Sequence, residues 1–268
     1  MTAATGAPAA RRGPGSMLHD GWILTWRNLV QLPRTPELLL FTLIQPIMFV
    51  LLFTYVFGGS IGQSLPPGIS YAQFLIPGIM VQTLVFSTNS TAVGLADDLQ
   101  KGLVDRFRSL PIARSAVLVG RICSDTVRLA MVAVVLVLVG YVVGFRFEAG
   151  LGWGLLMIVT AVAFGFSMSW IMATIGLSVR DAETASTAGF VWLFPLTFVS
   201  SVFVPVTSMP GWLQVVARNN PVTLLSNLLR EFTLIGRPAA GTVLPVLAWM
   251  VGLVVVFAPL AVSRYRKV

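Results

Sequence analysis

The chain has 268 residues, of which 56% are hydrophobic and only 10% charged, and its formal net charge is +8. A soluble domain typically holds about 25% charged residues. With a mean hydropathy of +0.86, this chain cannot clothe a globule in polar surface, so lipid must be part of its solvent.

The chain opens on a small, polar stretch rich in Gly and Pro, residues 1–16, which reads as a disordered tail. It has no apolar h-region of a secretory signal, so the tail is expected to be retained. Next comes Leu18–Val30, in which Leu18, Trp22, Ile23, Trp26, Leu29 and Val30 recur at helical spacing, with His19, Asp20, Arg27 and Asn28 on the remaining faces. Two readings fit: an amphipathic helix lying in the membrane interface, or an ordinary helix packed on protein.

Six stretches are long and apolar enough to span a bilayer, which takes about 20 residues. They are Glu37–Phe57 (ended by Gly58-Gly59), Tyr71–Val93, Ile122–Val143, Leu151–Val179, Ala185–Val206 and Thr242–Val262. The second carries Pro77 and the fifth Pro195, each a candidate kink. Between the last two spans, Met209–Ile235 is too interrupted to cross. Pro221 after Asn219-Asn220 fits a helix start, and two short helices are expected there, with re-entry left open. The fold class is thus all-α integral membrane, and no sequence repeat is evident.

An even number of spans puts both termini on one side, and the excess of Lys and Arg selects that side as cytoplasmic. Thirteen basic residues fall on the side of the termini and four (Arg146, Arg218, Arg230 and Arg237) on the other, with Arg128 in or near the third span. This topology also accounts for the basic residues without invoking nucleic acid.

Leu95–Leu110 lies on the cytoplasmic side in this scheme. Leu95, Leu99, Leu103, Phe107 and Leu110 form an apolar stripe, while Asp97, Asp98, Lys101, Asp105, Arg106 and Arg108 fill the other faces. Acids near the start and bases near the end suit the helix dipole. Such a helix can lie against the membrane and present charges to a soluble partner, or be a solvated connection with none.

The rest of the chain narrows the chemistry by what it lacks. Neither of its two lysines, Lys101 and Lys267, sits in a G-x-x-x-x-G-K-[ST] phosphate loop. The lone histidine, His19, offers no nucleophile–base pair and no metal cluster; no catalytic or metal-ligating residue is assigned. The single cysteine, Cys123, excludes an internal disulfide and a cysteine-based metal site. Asp125 stands three residues before Arg128, on one helix face, as an interfacial ion pair or a proton relay. No acid lies near a span centre, whereas proton-coupled pumps usually carry one, so the energy for any active transport is expected on another chain.

Uncharged polar groups mark two spans. The second holds Gln82, Thr83, Ser87, Thr88, Asn89, Ser90 and Thr91, and the fifth Thr197, Ser200 and Ser201. They serve as interhelical glue or line a substrate path; the candidate path residues are Gln82, Thr83, Ser87, Asn89, Ser200 and Ser201. Gly140-x-x-x-Gly144 is a possible close helix contact.

Four stretches resemble the ABC-2 type permeases, and most closely the daunorubicin/doxorubicin resistance branch found in actinobacteria. They are QPIMFVLLFTYVFGG (Gln45–Gly59), FLIPGIMVQT (Phe74–Thr83), GLADDLQKGLVDRFRSLPIARSAVLVGRICSD (Gly94–Asp125) and MPGWLQVVARNNPVT (Met209–Thr223). The resemblance covers nearly the whole chain apart from the first tail. It implies a six-helix subunit in the plasma membrane, paired with a second such subunit as homo- or heterodimer. Two separately encoded ATPase subunits, carrying ATP and Mg, are implied on the cytoplasmic face. Leu18–Val30 then resembles the family's interface helix, and Leu95–Leu110 falls in the region of its coupling helix. The expectation is an ATP-driven exporter of an amphipathic drug or antibiotic, with a cell-envelope lipid or glycan as the alternative cargo. An ATP-independent channel or carrier, and a scaffold without transport, are the alternatives outside that class.

Overall fold

A computed structural model describes residues 36–62, 65, 68–102 and 114–267. The expected tail at residues 1–16 and the Leu18–Val30 helix lie outside them, as do Asp105, Arg106 and Arg108. The described residues are helical and include no strand.

In chain order the helices are α1 (Pro36–Leu52), continued by a π-helical turn at Phe53–Phe57 and by α2 (Gly58–Gly62), then α3 (Tyr71–Ser87) and α4 (Asn89–Gln100). The long α5 (Arg114–Val143) and α6 (Leu151–Gly176) follow, then α7 (Ala182–Phe198), the short α8 (Gly211–Asn219) and α9 (Pro221–Leu234), and last α10 (Ala240–Lys267). Among the described residues, four helical runs are long and apolar enough to cross a membrane: Tyr71–Gln100, Leu118–Val143, Leu151–Gly176 and Ala240–Tyr265. Ile44–Phe57 is apolar but shorter.

The expected spans are all found as helices, with several boundaries moved. Helix does not stop at Gly58-Gly59 but runs on to Gly62. The second span continues past Val93 to Gln100, with a break at Thr88. The third begins at Arg114, well before Ile122, and the fourth ends at Gly176. The fifth is the largest correction. It closes at Phe198, where Val199 N–H bonds back to the Pro195 carbonyl and the chain turns at φ −89°, ψ 57°. Residues 199–204 are irregular instead of helical.

Chain order alternates direction between two ends of the bundle. Tyr71, Phe147, Leu151, Phe203 and α9 share one end; Gln100, Arg121, Leu177, Ala182 and Tyr265 share the other. The α6 helix is the hub, packed by α3, α4, α5, α7, α9 and α10. The apolar window of α3–α4 is 72% buried and that of α10 only 11%, so α3–α4 forms the interior and α10 the rim. Exposed Leu244, Leu247, Val251, Val255 and Val256 on α10 suit a lipid-facing helix.

Close helix approach depends on small residues, as expected where lipid supplies no hydrophobic drive between helices. A β-carbon at Gly176 would lie 2.8 Å from the Ala92 Cα, so α6 and α4 meet backbone to backbone. Gly140 packs instead on the Ile76 side chain, whereas Gly144 has φ +101° and ends the helix. The Gly140-x-x-x-Gly144 pair is therefore one contact and one terminator, not a two-glycine seam.

Candidate functional site

The break between α3 and α4 is written in a run of hydroxyls. Thr88 Oγ1 donates to the Val85 carbonyl at 2.6 Å, and Ser90 Oγ donates to the Ser87 carbonyl at 2.8 Å. Side chains that bond the preceding turn compete with the helical ladder and bend it. The Ser87 carbonyl also accepts from Arg128 Nη2 at 3.1 Å, and the same nitrogen reaches Ser90 Oγ.

Beside this break lies a cavity of about 330 Å³, within the range of small-molecule sites. Helix α1 contributes Gln45, Pro46 and Phe49; α3 and α4 contribute Gln82, Thr83, Phe86, Ser87, Asn89, Ser90 and Val93. Arg128 of α5 and Ser186 and Phe190 of α7 complete the wall. Four of the six sequence-nominated path residues, Gln82, Thr83, Ser87 and Asn89, are thus brought together.

The other two are elsewhere. Ser201 Oγ donates to Asn227 Oδ1 at 3.1 Å, and its backbone N–H to Thr223 Oγ1 at 3.0 Å. Ser200 Oγ bonds the Thr197 carbonyl. Both hold the irregular segment at the α9 end and do not line the cavity.

Several buried polar atoms of the residues lining the cavity have no hydrogen-bond partner in the protein. They are both amide atoms of Gln82, the Asn89 Oδ1 and the Arg128 Nε. Gln82 is only 1% exposed. A buried amide left unpaired costs about 1–3 kcal/mol. Asn89 Nδ2 makes long contacts with Ser186 O and Oγ, both 3.4 Å, and its Oδ1 occupies the space that a β-carbon would need at Gly189.

Charge enters the cavity through a ladder. Asp98 pairs with Arg121 Nη1 at 3.0 Å, Arg121 Nε stands 3.8 Å from Asp125, and Asp125 stands 3.5 Å from Arg128. The expected Asp125–Arg128 pair is present, but Asp125 also accepts from Thr91 Oγ1 at 2.7 Å. The ladder runs from the carboxyl end of α4 to the cavity wall.

The predicted apolar stripe of Leu95–Leu110 does not lie on one unbroken helix. The α4 helix stops at Gln100, and Gly102 takes φ +63°, a conformation open to glycine and strained for most residues. Leu95 is buried with Leu118, Ile122 and Trp170, and Leu99 packs on the same cluster. The first half of the stripe thus faces protein. Among the nominated partner contacts, Asp97 and Lys101 pair at 2.7 Å and Asp98 pairs with Arg121. The α7 helix starts nearby on Asp181, whose carboxylate accepts the Thr184 N–H at 2.7 Å. That bond, and the Thr184 hydroxyl, hold the carboxyl below its usual range.

Sequence reasoning missed Arg230, which it counted as an outer-loop charge. Arg230 is 7% exposed. All five of its donor positions are used. Nε donates to the Phe74 carbonyl at 2.8 Å; Nη1 donates to Ser201 Oγ at 3.1 Å and Asn227 Oδ1 at 3.0 Å; Nη2 donates to the Ser201 carbonyl at 2.6 Å and the Val202 carbonyl at 3.3 Å. Its guanidinium lies 3.6 Å from the centre of the Phe74 ring. Burial pulls its pKa down to about 9, so it is charged at neutral pH. The signal was present: Val222, Ser226 and Arg230 recur at helical spacing on the buried face of α9.

Asn220 holds the same end. Its Oδ1 caps α9 by accepting Val222 N–H at 2.8 Å, and its Nδ2 donates to the Leu196 carbonyl at 2.7 Å and the Val199 carbonyl at 2.6 Å. The expected Asn-Pro helix start is correct, and the same side chain also closes the last turn of α7.

Known proteins match most of this chain's length. It is 36% identical over 242 residues to the daunorubicin resistance ABC transporter permease protein DrrB1 of Streptomyces coeruleorubidus, covering 90% of this chain and 84% of that one. It is 26% identical over 266 residues to the probable doxorubicin resistance ABC transporter permease protein DrrC of Mycobacterium tuberculosis, covering 99% and 95%. The inner membrane transport permease YadH of Escherichia coli is 22% identical over 217 residues, covering 78% and 82%. The ABC-2 type transporter family model matches residues 20–234. On that match, and with four apolar helical runs of spanning length, the chain belongs to the ABC-2 type transporter family and is a multi-pass membrane protein.

Proposed function

We propose that this chain is the membrane-spanning permease of an ATP-driven exporter that moves an amphipathic drug or antibiotic out of the cell. The observation that carries the reading is the cavity at the α3–α4 break. It joins phenyl rings to amide and hydroxyl groups, and the helix forming its wall runs on to a charged end. The names of the relatives, two of them drug-resistance permeases, favour such a cargo.

In this reading α1 with its π-turn and α7 complete six crossings. The termini and the α4 carboxyl end face the cytoplasm, in keeping with the distribution of Lys and Arg. Two ATPase subunits bind ATP and Mg there and dock at Asp97, Asp98, Lys101, Asp105, Arg106 and Arg108. A second permease subunit, identical or not, completes the membrane unit. The chain itself carries no phosphate loop and supplies no catalytic group. Gln82, Thr83, Ser87 and Asn89 lie on the substrate path. Closure of the ATPases on ATP moves α4, and the path switches from facing inward to facing outward.

The test is co-reconstitution with a partner ABC ATPase subunit, in inside-out vesicles. ATP-dependent accumulation of an uncharged amphipathic drug, lost when the charges at Asp105 and Arg106 are reversed together, is the expected result. Transport by this chain alone would instead indicate a channel or carrier, and absence of ATP-driven flux of any amphiphile a scaffold.

A further inference from the structure

We propose that the cavity between α1, α3, α4 and α7 binds the polar end of an uncharged or anionic amphiphile that offers both a hydroxyl-type donor and an oxygen acceptor. The proposal rests on the exporter reading and names the part of the cargo that this wall recognises.

The unpaired atoms set the hydrogen-bond pattern. Gln82 Nε2 and Arg128 Nε are buried donors without an acceptor, and Gln82 Oε1 is a buried acceptor without a donor; Asn89 Oδ1 is packed against Gly189 and is not counted. A group with an oxygen and an O–H or N–H meets both needs, after a turn of the Gln82 side chain toward the cavity it lines. A purely apolar ligand meets neither.

Charge sets the sign. Among the described residues, Arg128 is the charged one on the wall, and none of their carboxylates lines the cavity. The nearby acid, Asp125, is buried and engaged by Thr91, Arg121 and Arg128 together. A cationic head would meet a guanidinium with no free counter-charge, at the full cost of desolvation. An anion or a neutral diol carries no such penalty.

Size sets the extent. A space of about 330 Å³ equals the share of liquid volume taken by about ten water molecules. That suits a polar head and the start of its apolar body. Phe49, Phe86 and Phe190 line the same space, and Phe190 and Phe194 are exposed along α7. The apolar remainder therefore leaves along α7 toward the lipid.

The experiment uses the complete transporter in lipid nanodiscs and three probes with one shared chain: dodecylglycerol, dodecyl phosphate and dodecyltrimethylammonium. A diazirine-bearing dodecylglycerol is photo-crosslinked and its site mapped, with each unlabelled probe as competitor. Labelling in α3–α4 is expected, competed by the diol and the phosphate and not by the ammonium. Gln82→Leu removes the unpaired amide, so the variant is expected to fold at least as well, and to bind the diol and the phosphate about tenfold more weakly. Competition by the ammonium equal to that of the diol would overturn the proposal. So would unchanged affinity in Gln82→Leu, or labelling outside the cavity. ATP-driven export is measured separately on the same protein reconstituted in inside-out vesicles; its absence with binding intact would defeat the exporter reading and leave this site standing.

Discussion

The guanidinium of Arg121 lies across Gly94, filling the space that a β-carbon there would need. From that position it reaches Asp98 at 3.0 Å on one side and Asp125 at 3.8 Å on the other. The ladder from α4 to the cavity thus depends on the absence of a side chain one turn before Asp98. Gly94→Ala is expected to evict the guanidinium and leave the fold nearly unchanged, because the displaced group is the far end of a flexible side chain. Partly exposed pairs of this kind contribute about 0–1 kcal/mol, so the melting temperature should move little. The ratio of substrate exported to ATP hydrolysed should fall. An unchanged ratio would remove the ladder from the coupling mechanism.

Gly176→Ala should behave in the opposite way. The new methyl would meet Ala92 backbone atoms, including its Cα at 2.8 Å, and backbone cannot swing aside. Overpacking of this sort costs about 1–3 kcal/mol, read as a lower melting temperature in nanodiscs. Adding Ala92→Gly should fail to rescue it, since the obstacle is backbone and not the Ala92 methyl.

Arg230→Met is expected to be the most damaging of these substitutions. It removes the guanidinium donor from the Phe74, Ser201 and Val202 carbonyls in a buried setting, and leaves Asn227 Oδ1 with Ser201 Oγ alone. With about 1–3 kcal/mol for each unsatisfied group, a loss of about 3 kcal/mol or more is expected. Arg230→Lys should recover only part of it, because one ammonium cannot reproduce the planar fork. Hydrogen exchange should show residues 199–204 opening first.

Asn220 offers a finer test, since its two amide atoms serve two helices. Asn220→Ala loses the cap of α9, about 0.5–2 kcal/mol, together with both bonds to α7. Asn220→Asp keeps an oxygen for Val222 N–H but sets a carboxylate against the Leu196 and Val199 carbonyls. Both variants should melt earlier than the parent. An aspartate variant as stable as the parent would show that the bonds to α7 contribute nothing.

Much of this was legible in the sequence, and the reason is chemical. Lipid demands long apolar helices, so α5, α6 and α10 announce themselves by length alone. The polar groups of the second span, Gln82 to Thr91, also pointed to Gln82, Thr83, Ser87 and Asn89, which share the cavity. What escaped was whatever depends on a partner far along the chain. Arg230 reads as a surface charge until Phe74 and Ser201, 156 and 29 residues away, supply its acceptors. The early end of α7 depends on Asn220, which lies 24 residues beyond Leu196. Gly102 is a single residue whose left-handed turn divides a stripe that spacing alone would continue.

The break at Thr88 also has mechanical meaning. Pivoted at Thr88, the twelve residues of α4 would form a lever of about 18 Å at 1.5 Å per residue. A tilt of about 10° would carry Gln100 through about 3 Å, while Asn89 beside the fulcrum would scarcely translate. Gln82 and Thr83 lie on the fixed arm, Asn89 and Ser90 on the moving one. A stroke at the charged end would therefore reach the cavity as a change of angle between two rows of polar groups. The site would be re-aimed and not displaced.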